Sequence, residues 1–303
     1  MLGLAHFSHK LFARESKSFL PMGALYSALI SLCSLPIFFV LAGFDLSLDG
    51  SLAFYSVAYG VLAALAQIMI FVAISRVNLV VYSVFGKSAT ILVCLCGFIF
   101  YGDKVTVPAV LSVILIAVAI VIPLLQIKSS EGGKSSFASL MICIIMMING
   151  LLITIVLKGF SELETTTSER SSAFFFYANV ITAIALFIVL YFVTKKRKNE
   201  GAEGKFIDAP SENYHIGIVE TAKKVKWKYY ILIPLTATIA NIPCVTNVYC
   251  MQNMDLAIYT IVLTAAESMV YFLISRLIFK EKSTKLDIAA LILCTLAGIV
   301  TVF

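Results

Sequence analysis

Two charged side chains stand where the sequence otherwise avoids charge. Lys87, in the stretch SVFGKSAT (83–90), lies inside an apolar run from about 78 to 101, and Glu267 lies inside another from 256 to 278. Gly86, Lys87 and Ser88 look like the end of a phosphate-binding loop, but that loop needs a glycine at position 81, where Val81 stands. An ammonium and a carboxylate at apolar depth can hold the two ends of a zwitterion, carry a proton, or pair with each other. A charge at the centre of a membrane helix costs about 2.5 to 3.5 kcal/mol unless it is paired or hydrated. Such residues therefore point first to function, with a permanent ion pair that fixes helix packing as the bland alternative.

The neighbours of both charges are polar at helical spacing. Ser83 and Thr90 share a side of the helix with Lys87, at steps of four and three. On the other run Thr260, Thr264, Glu267, Tyr271 and Ser275 form one stripe, a pattern ill suited to lipid. A third run adds Asn241, Thr246 and Asn247 around Pro243, residues that either line the same cavity or bond helix to helix. Gln67, Asn149, Thr154, His6 and His9 are weaker candidates of the same kind. Lys87 lies eleven residues from Arg76 and Glu267 nine from Arg276, roughly 16 Å and 14 Å of helix, so the two charges are expected at matching depth. The predicted substrate site is Lys87, Glu267, Ser83, Thr90, Thr264, Tyr271, Thr260 and Asn247, with Glu267 also the candidate for proton coupling.

The elements that must position these residues are membrane helices. Of 303 residues 60% are hydrophobic and 13% charged, too few charges to cover a water-soluble domain of this length. Nine runs reach the ~20 residues needed to cross the hydrocarbon: about 21–43, 52–74, 78–101, 106–126, 138–157, 173–193, 229–248, 256–278 and 286–303. The net charge of +6 records loop sidedness and not a nucleic-acid partner. Seven cysteines and three histidines lie scattered, with no C-x-x-C pair, so neither a metal nor a cofactor is expected.

The chain repeats itself. FYGDKVT (100–106) matches IFKEKST (278–284), and NLVVYS (78–83) matches DLAIYT (255–260), each between two apolar runs. The repeat unit is five helices, an odd number, so the second unit enters the membrane from the opposite side. The expected fold is an all-α membrane protein of two inverted five-helix repeats, residues 1–126 and 127–303. Ten helices result, the first truncated, because the N-terminal segment supplies only half a helix; a start upstream is the favoured explanation.

Nineteen of the 23 basic residues fall in loops on one side, nine of them between Lys195 and Lys228, whereas Lys104, Lys158 and Arg170 mark the other. The rich side is expected to be cytoplasmic, with a mobile loop at about 194–228 on that side and the chain ending on the far side. A multi-pass protein of the plasma (cytoplasmic) membrane follows.

The five-plus-five repeat resembles the EamA-type branch of the drug/metabolite transporter superfamily. In that family the fourth helix of each unit ends in an apolar-Gly-Glu-basic element; FIFYGDKVTVPAV and RLIFKEKSTKLDI look like the two copies, with Asp103 in place of the glutamate and Lys280 in place of the glycine. The resemblance implies ten helices, helices 1–4 and 6–9 around a central cavity, and secondary transport without ATP. It also implies both termini in the cytoplasm, contrary to the loop charges. The function expected is alternating-access transport, with export the direction, of a small amphiphilic or zwitterionic, amino-acid-like metabolite. Lys87 would meet its carboxylate, and Glu267 its amine or the coupling proton. A proton-coupled exporter of cationic drugs is the alternative, disfavoured by the fixed charge of Lys87. A membrane-embedded enzyme is the other class: Tyr101-Gly102-Asp103 faintly resembles an intramembrane aspartyl protease, but no second buried aspartate accompanies it, and no enzyme is expected. The expected partners are the small-molecule substrate and the lipid bilayer, with room for a homodimer and no nucleic acid.

Overall fold

The computed structural model describes residues 19–76, 89–130, 134–199, 227–277 and 285–302. Lys87 and Ser83, and the histidines His6 and His9, lie outside the described residues. Among those described, the chain forms nine helices and no strand: α1 (Phe19–Leu41), α2 (Gly50–Arg76), α3 (Ala89–Phe100), α4 (Val107–Ser130), α5 (Lys134–Ser161), α6 (Ser168–Asn199), α7 (Trp227–Asn253), α8 (Leu256–Leu277) and α9 (Lys285–Val302). Six of them hold stretches long and apolar enough to cross a membrane: Gly23–Leu41, Gly50–Ile70, Ile144–Ser161, Ser168–Val193, Tyr230–Asn253 and Leu256–Ile274. In hydrocarbon a backbone must satisfy its own polar groups, and the α-helix does so within one segment. The protein is an all-helical membrane protein.

Helix starts are set by short polar side chains that accept from the otherwise orphaned first N–H groups. Asp49 Oδ1 accepts from Leu52 N at 2.7 Å at the head of α2, Thr106 Oγ1 from Ala109 N at 3.3 Å at α4, and Thr167 Oγ1 from Arg170 N at 3.2 Å at α6. Helix ends outrun the apolar runs in several places. The apolar run at 173–193 continues as helix to Asn199, that at 106–126 to Ser130, and that at 229–248 to Asn253. Backbone hydrogen bonding does not stop where hydrophobicity stops, so the loop expected from 194 begins with helix, and α4 carries past the repeat boundary expected at 126/127. Pro36, Pro234 and Pro243 all lie within continuous helices.

The helices pack in a regular order. α1 packs on α6, α3 on α8 and α4 on α9; α2 also packs on α6, and α1 on α7. α5 packs against α2, α3 and α7, and α8 against α9. Polar side chains stitch these contacts. Asn241 Nδ2 donates to Ser34 Oγ at 2.6 Å while Ser34 donates to Ile30 O at 2.8 Å; Ser27 Oγ donates to Gln67 Oε1 at 3.2 Å; Thr182 Oγ1 donates to Gly60 O at 3.0 Å. On the α4–α9 seam Ser112 Oγ donates to Ala297 O at 2.8 Å and accepts from Thr301 Oγ1 at 2.7 Å. Asn241 and Gln67 therefore bond helix to helix.

Because Ser34 keeps its bond to Ile30, the Asn241–Ser34 pair can be isolated experimentally. Asn241→Leu and Ser34→Ala are each expected to lower unfolding stability in detergent by about 1 kcal/mol, the usual scale for an interhelical hydrogen bond in a membrane protein. The double variant should lose little more than either single one, and full additivity would show that the two residues are not coupled.

The largest core lies at one end of the bundle. Phe38, Phe160, Phe174, Phe175 and Tyr259 are buried there, with Phe160 and Phe174 stacked at 4.3 Å and Phe38 and Phe175 at 5.4 Å between ring centroids. Tyr59 closes edge-on over both Phe174 and Phe175, at 5.3 and 5.6 Å. Above this core the connections 42–49, 101–106, 162–167 and 254–255 meet. Tyr177 Oη donates to Leu46 O at 2.6 Å and Gln252 Nε2 to Thr166 O at 3.2 Å. Arg170 is ion-paired with Asp49 and donates to Ser51 Oγ at 2.9 Å. The Leu52 N–H first, then the Ser51 hydroxyl and the Arg170 guanidinium, hold the Asp49 carboxyl below its ordinary range. This end is the face with few basic residues in the sequence.

Candidate functional site

The described side chains of the polar stripe foreseen on α8 turn inward. Thr264 is 2% exposed and Glu267 5% exposed, so both are buried in the bundle; Thr260 is buried as well, its hydroxyl donating to the carbonyl of Leu256 at 2.7 Å on its own helix. Thr90, the second residue of α3, is 3% exposed and meets Thr264 hydroxyl to hydroxyl at 2.7 Å. The structure therefore brings Thr90 and Thr264, which the sequence placed on separate helices, into contact. Tyr271 lies within α8, but its side chain is outside the described ones. Asn247, on α7, is half-buried, and Thr246 beside it is exposed.

Depth along the helices agrees from both sides. Asp103 ties the neighbourhood of Gly97 to Ala257, because Asp103 N donates to Gly97 O at 3.1 Å and the Asp103 carboxylate accepts from Ala257 N at 2.8 Å. Thr90 is seven residues before Gly97 and Thr264 seven after Ala257, so each lies about 10 Å inward of that tie. Glu267 lies about 15 Å inward. α5 reaches the same layer: a β-carbon on Gly150 would stand 3.0 Å from that of Ala89, and Asn149 Nδ2 donates to Leu62 O of α2 at 3.2 Å. Asn149 Oδ1 is buried with no hydrogen-bond partner among the described residues. Thr154 instead bonds back to Gly150 O at 2.9 Å.

The layer sets the Glu267 carboxylate about one turn along α8 from the Thr90–Thr264 hydroxyl pair, and all three groups can hydrogen-bond. Among the described residues no three His, Cys, Asp or Glu side chains come together.

Sequence reasoning missed the burial of two further charges. Lys158 counted as a loop cation and Asp103 as part of a repeated element and of a weak protease-like triplet, yet they are 7% and 9% exposed. Lys158 Nζ donates to Met251 O at 2.8 Å, lies 3.3 Å from Glu162 Oε1, and sits 5.8 Å above the centre of the Tyr101 ring. A lysine in the last turn of a helix is ordinary, and its burial depends on a carbonyl that α7 brings from 93 residues away, which no local pattern announces.

Together the apolar helices, their pairwise packing and the buried polar layer define an α-helical membrane protein with a polar interior. No family and no curated protein matches the chain. Solved structures do: 21 chains match, among them a crystal structure of a protein with a TM-score of 0.64, covering 99% of this chain and 94% of that one at 9% identity. A likeness at that identity shows the fold alone, and it spans the whole bundle.

Proposed function

We propose that this chain is a secondary active transporter of the drug/metabolite type, built from two inverted five-helix repeats, that moves a small amphiphilic or zwitterionic metabolite, amino-acid-like, out of the cell across the plasma membrane by alternating access. The observation that carries the reading is the burial of Glu267 beside the Thr90–Thr264 bond, where helices of the two halves meet. A carboxylate kept at that depth has a use for its charge, and transporters with inverted repeats place substrate and coupling ions near the midplane at the repeat interface.

The packing order supports the repeat. With α1–α4 set against α6–α9, each helix five positions from its counterpart, α1, α3 and α4 each touch their own counterparts. The α2–α6 contact is answered by the reciprocal α1–α7 contact. A two-fold axis lying between the halves produces that pattern. α5 then corresponds to the short N-terminal segment, and the matched elements at 100–106 and 278–284 follow α3 and α8.

A ligand-binding panel tests the substrate class. Purified protein should melt at higher temperature with amino acids than with nucleosides, sugar phosphates or organic cations, since a ligand that binds only the folded form stabilises it by mass action. Stabilisation by organic cations alone would replace the zwitterion with the cationic-drug reading.

A further inference from the structure

We propose that Asp103 and Lys158 form a latch that closes the bundle on its face poor in basic residues, and that the structure holds this latch shut. The inference rests on the transporter reading and adds the device that alternates access.

The latch acts on one corner. α7 ends at Asn253 and α8 begins at Leu256, so two helix ends with unsatisfied backbone groups sit side by side. Lys158, from α5, donates to the Met251 carbonyl in the last turn of α7. Asp103, from the turn after α3, accepts from the Ala257 N–H in the first turn of α8. A cation at a helix C-terminus and an anion at an N-terminus are the favourable signs for the two helix dipoles. One corner is thus gripped at both ends by opposite charges, one from α5 and one from the turn after α3.

The two grips are coupled through the turn 101–103. Gly102 adopts φ +69°, open to glycine at no steric cost, and lets Tyr101 N and Asp103 N both donate to Gly97 O, at 3.2 and 3.1 Å. A β-carbon on Gly97 would collide with the Asp103 carboxylate, so the absence of a side chain there leaves the carboxylate its place. Tyr101, two residues before Asp103, presents its ring to the Lys158 ammonium. The turn of the first half therefore touches both the cation and the corner of the second half.

Beneath the corner, Val93, Leu157, Val248, Met251, Leu256 and Tyr259 belong to one buried core drawn from α3, α5, α7 and α8. Swinging the corner away exposes that core and frees both charges and both backbone groups at the loop end of the bundle. Glu162, the exposed partner of Lys158, already lies there. Water can satisfy every group the latch releases, which gives a reversible element with two satisfied states, as a gate requires.

Thiol accessibility tests the latch without any substrate. In a chain with its seven cysteines replaced, Val93→Cys places a thiol in the core under the corner, where Val93 is 1% exposed. Ala64→Cys, in a separate core drawn from α1, α2 and α6, serves as the control for unfolding. With the protein in nanodiscs, both faces open to a polar maleimide, Asp103→Ala and Lys158→Met should each speed labelling at position 93 at least about tenfold, as a tenfold rise in the open population would. Labelling at position 64 should stay slow. If it rises too, Lys158→Arg decides: slow labelling at 93 restored supports the latch, and labelling still fast overturns it. Unchanged labelling at 93 in both variants overturns the latch and leaves the transport reading standing. Absence of flux in the wild type overturns that reading and leaves the labelling result as it is.

Discussion

Glu267→Gln is expected to lower the flux of a zwitterionic substrate roughly 10- to 100-fold, the equivalent of losing one hydrogen bond to a charged group at about 1.5 to 3 kcal/mol. The substitution keeps the shape of the side chain and removes only its charge, at a position 5% exposed on α8. Stability should move the other way or not at all, because a neutral amide is less costly to bury than a carboxylate. The two readings of Glu267 then separate cleanly. A carboxylate that works on substrate or proton loses flux with an unchanged or raised melting temperature, whereas one that only fixes packing lowers the melting temperature and leaves the residual flux of folded protein intact. Reconstituted uptake and a thermal melt on the same preparation read both quantities.

Gly298→Ala is expected to destabilise the bundle by about 1 to 3 kcal/mol, the range for overpacking a close contact. Gly298 of α9 faces Ala265 of α8 so closely that an added β-carbon would stand 2.4 Å from the β-carbon of Ala265. Neither atom is the end of a flexible chain, so the helices themselves must part. Ala265 lies between Thr264 and Glu267, and the strain should therefore reach the polar layer and lower flux as well. Ala265→Gly removes the opposing methyl, and the double variant should recover stability to within about 0.5 kcal/mol of the wild type, the usual error for additive sites, instead of summing two losses. A chemical denaturation series in detergent on the four proteins completes the cycle. Additive losses would mean that the two positions do not press on one another.

Much of this architecture was legible in the sequence, for a reason particular to membranes. Lipid enforces long apolar runs, so α1, α2, α6, α7 and α8 appear where hydropathy places them, and their ends differ only where polar residues continue the backbone ladder outside the lipid, as at Asn199 and Asn253. The stripe of Thr260, Thr264 and Glu267 was legible too, because a helical period of polar residues has to face protein. The bond between Thr90 and Thr264 required a partner helix 174 residues away, which only packing brings together. Asn241 shows the opposite case: its sequence context fits a cavity as well as a seam, and only packing against Ser34 decides for the seam. The burial of Lys158 and Asp103 was not foreseen because both stand at the ends of apolar runs, where charges are commonplace. What buries them is the corner between α7 and α8, a tertiary feature with no local signature.

The measurement that bears most directly on the central claim is counterflow of a radiolabelled neutral amino acid in proteoliposomes, taken for the wild type, Lys87→Ala and Glu267→Gln beside protein-free vesicles. The predicted result is saturable exchange by the wild type, in the absence of ATP, and its loss in both variants. Exchange no greater than in protein-free vesicles, or equal exchange by all three proteins, would contradict a zwitterion site at Glu267.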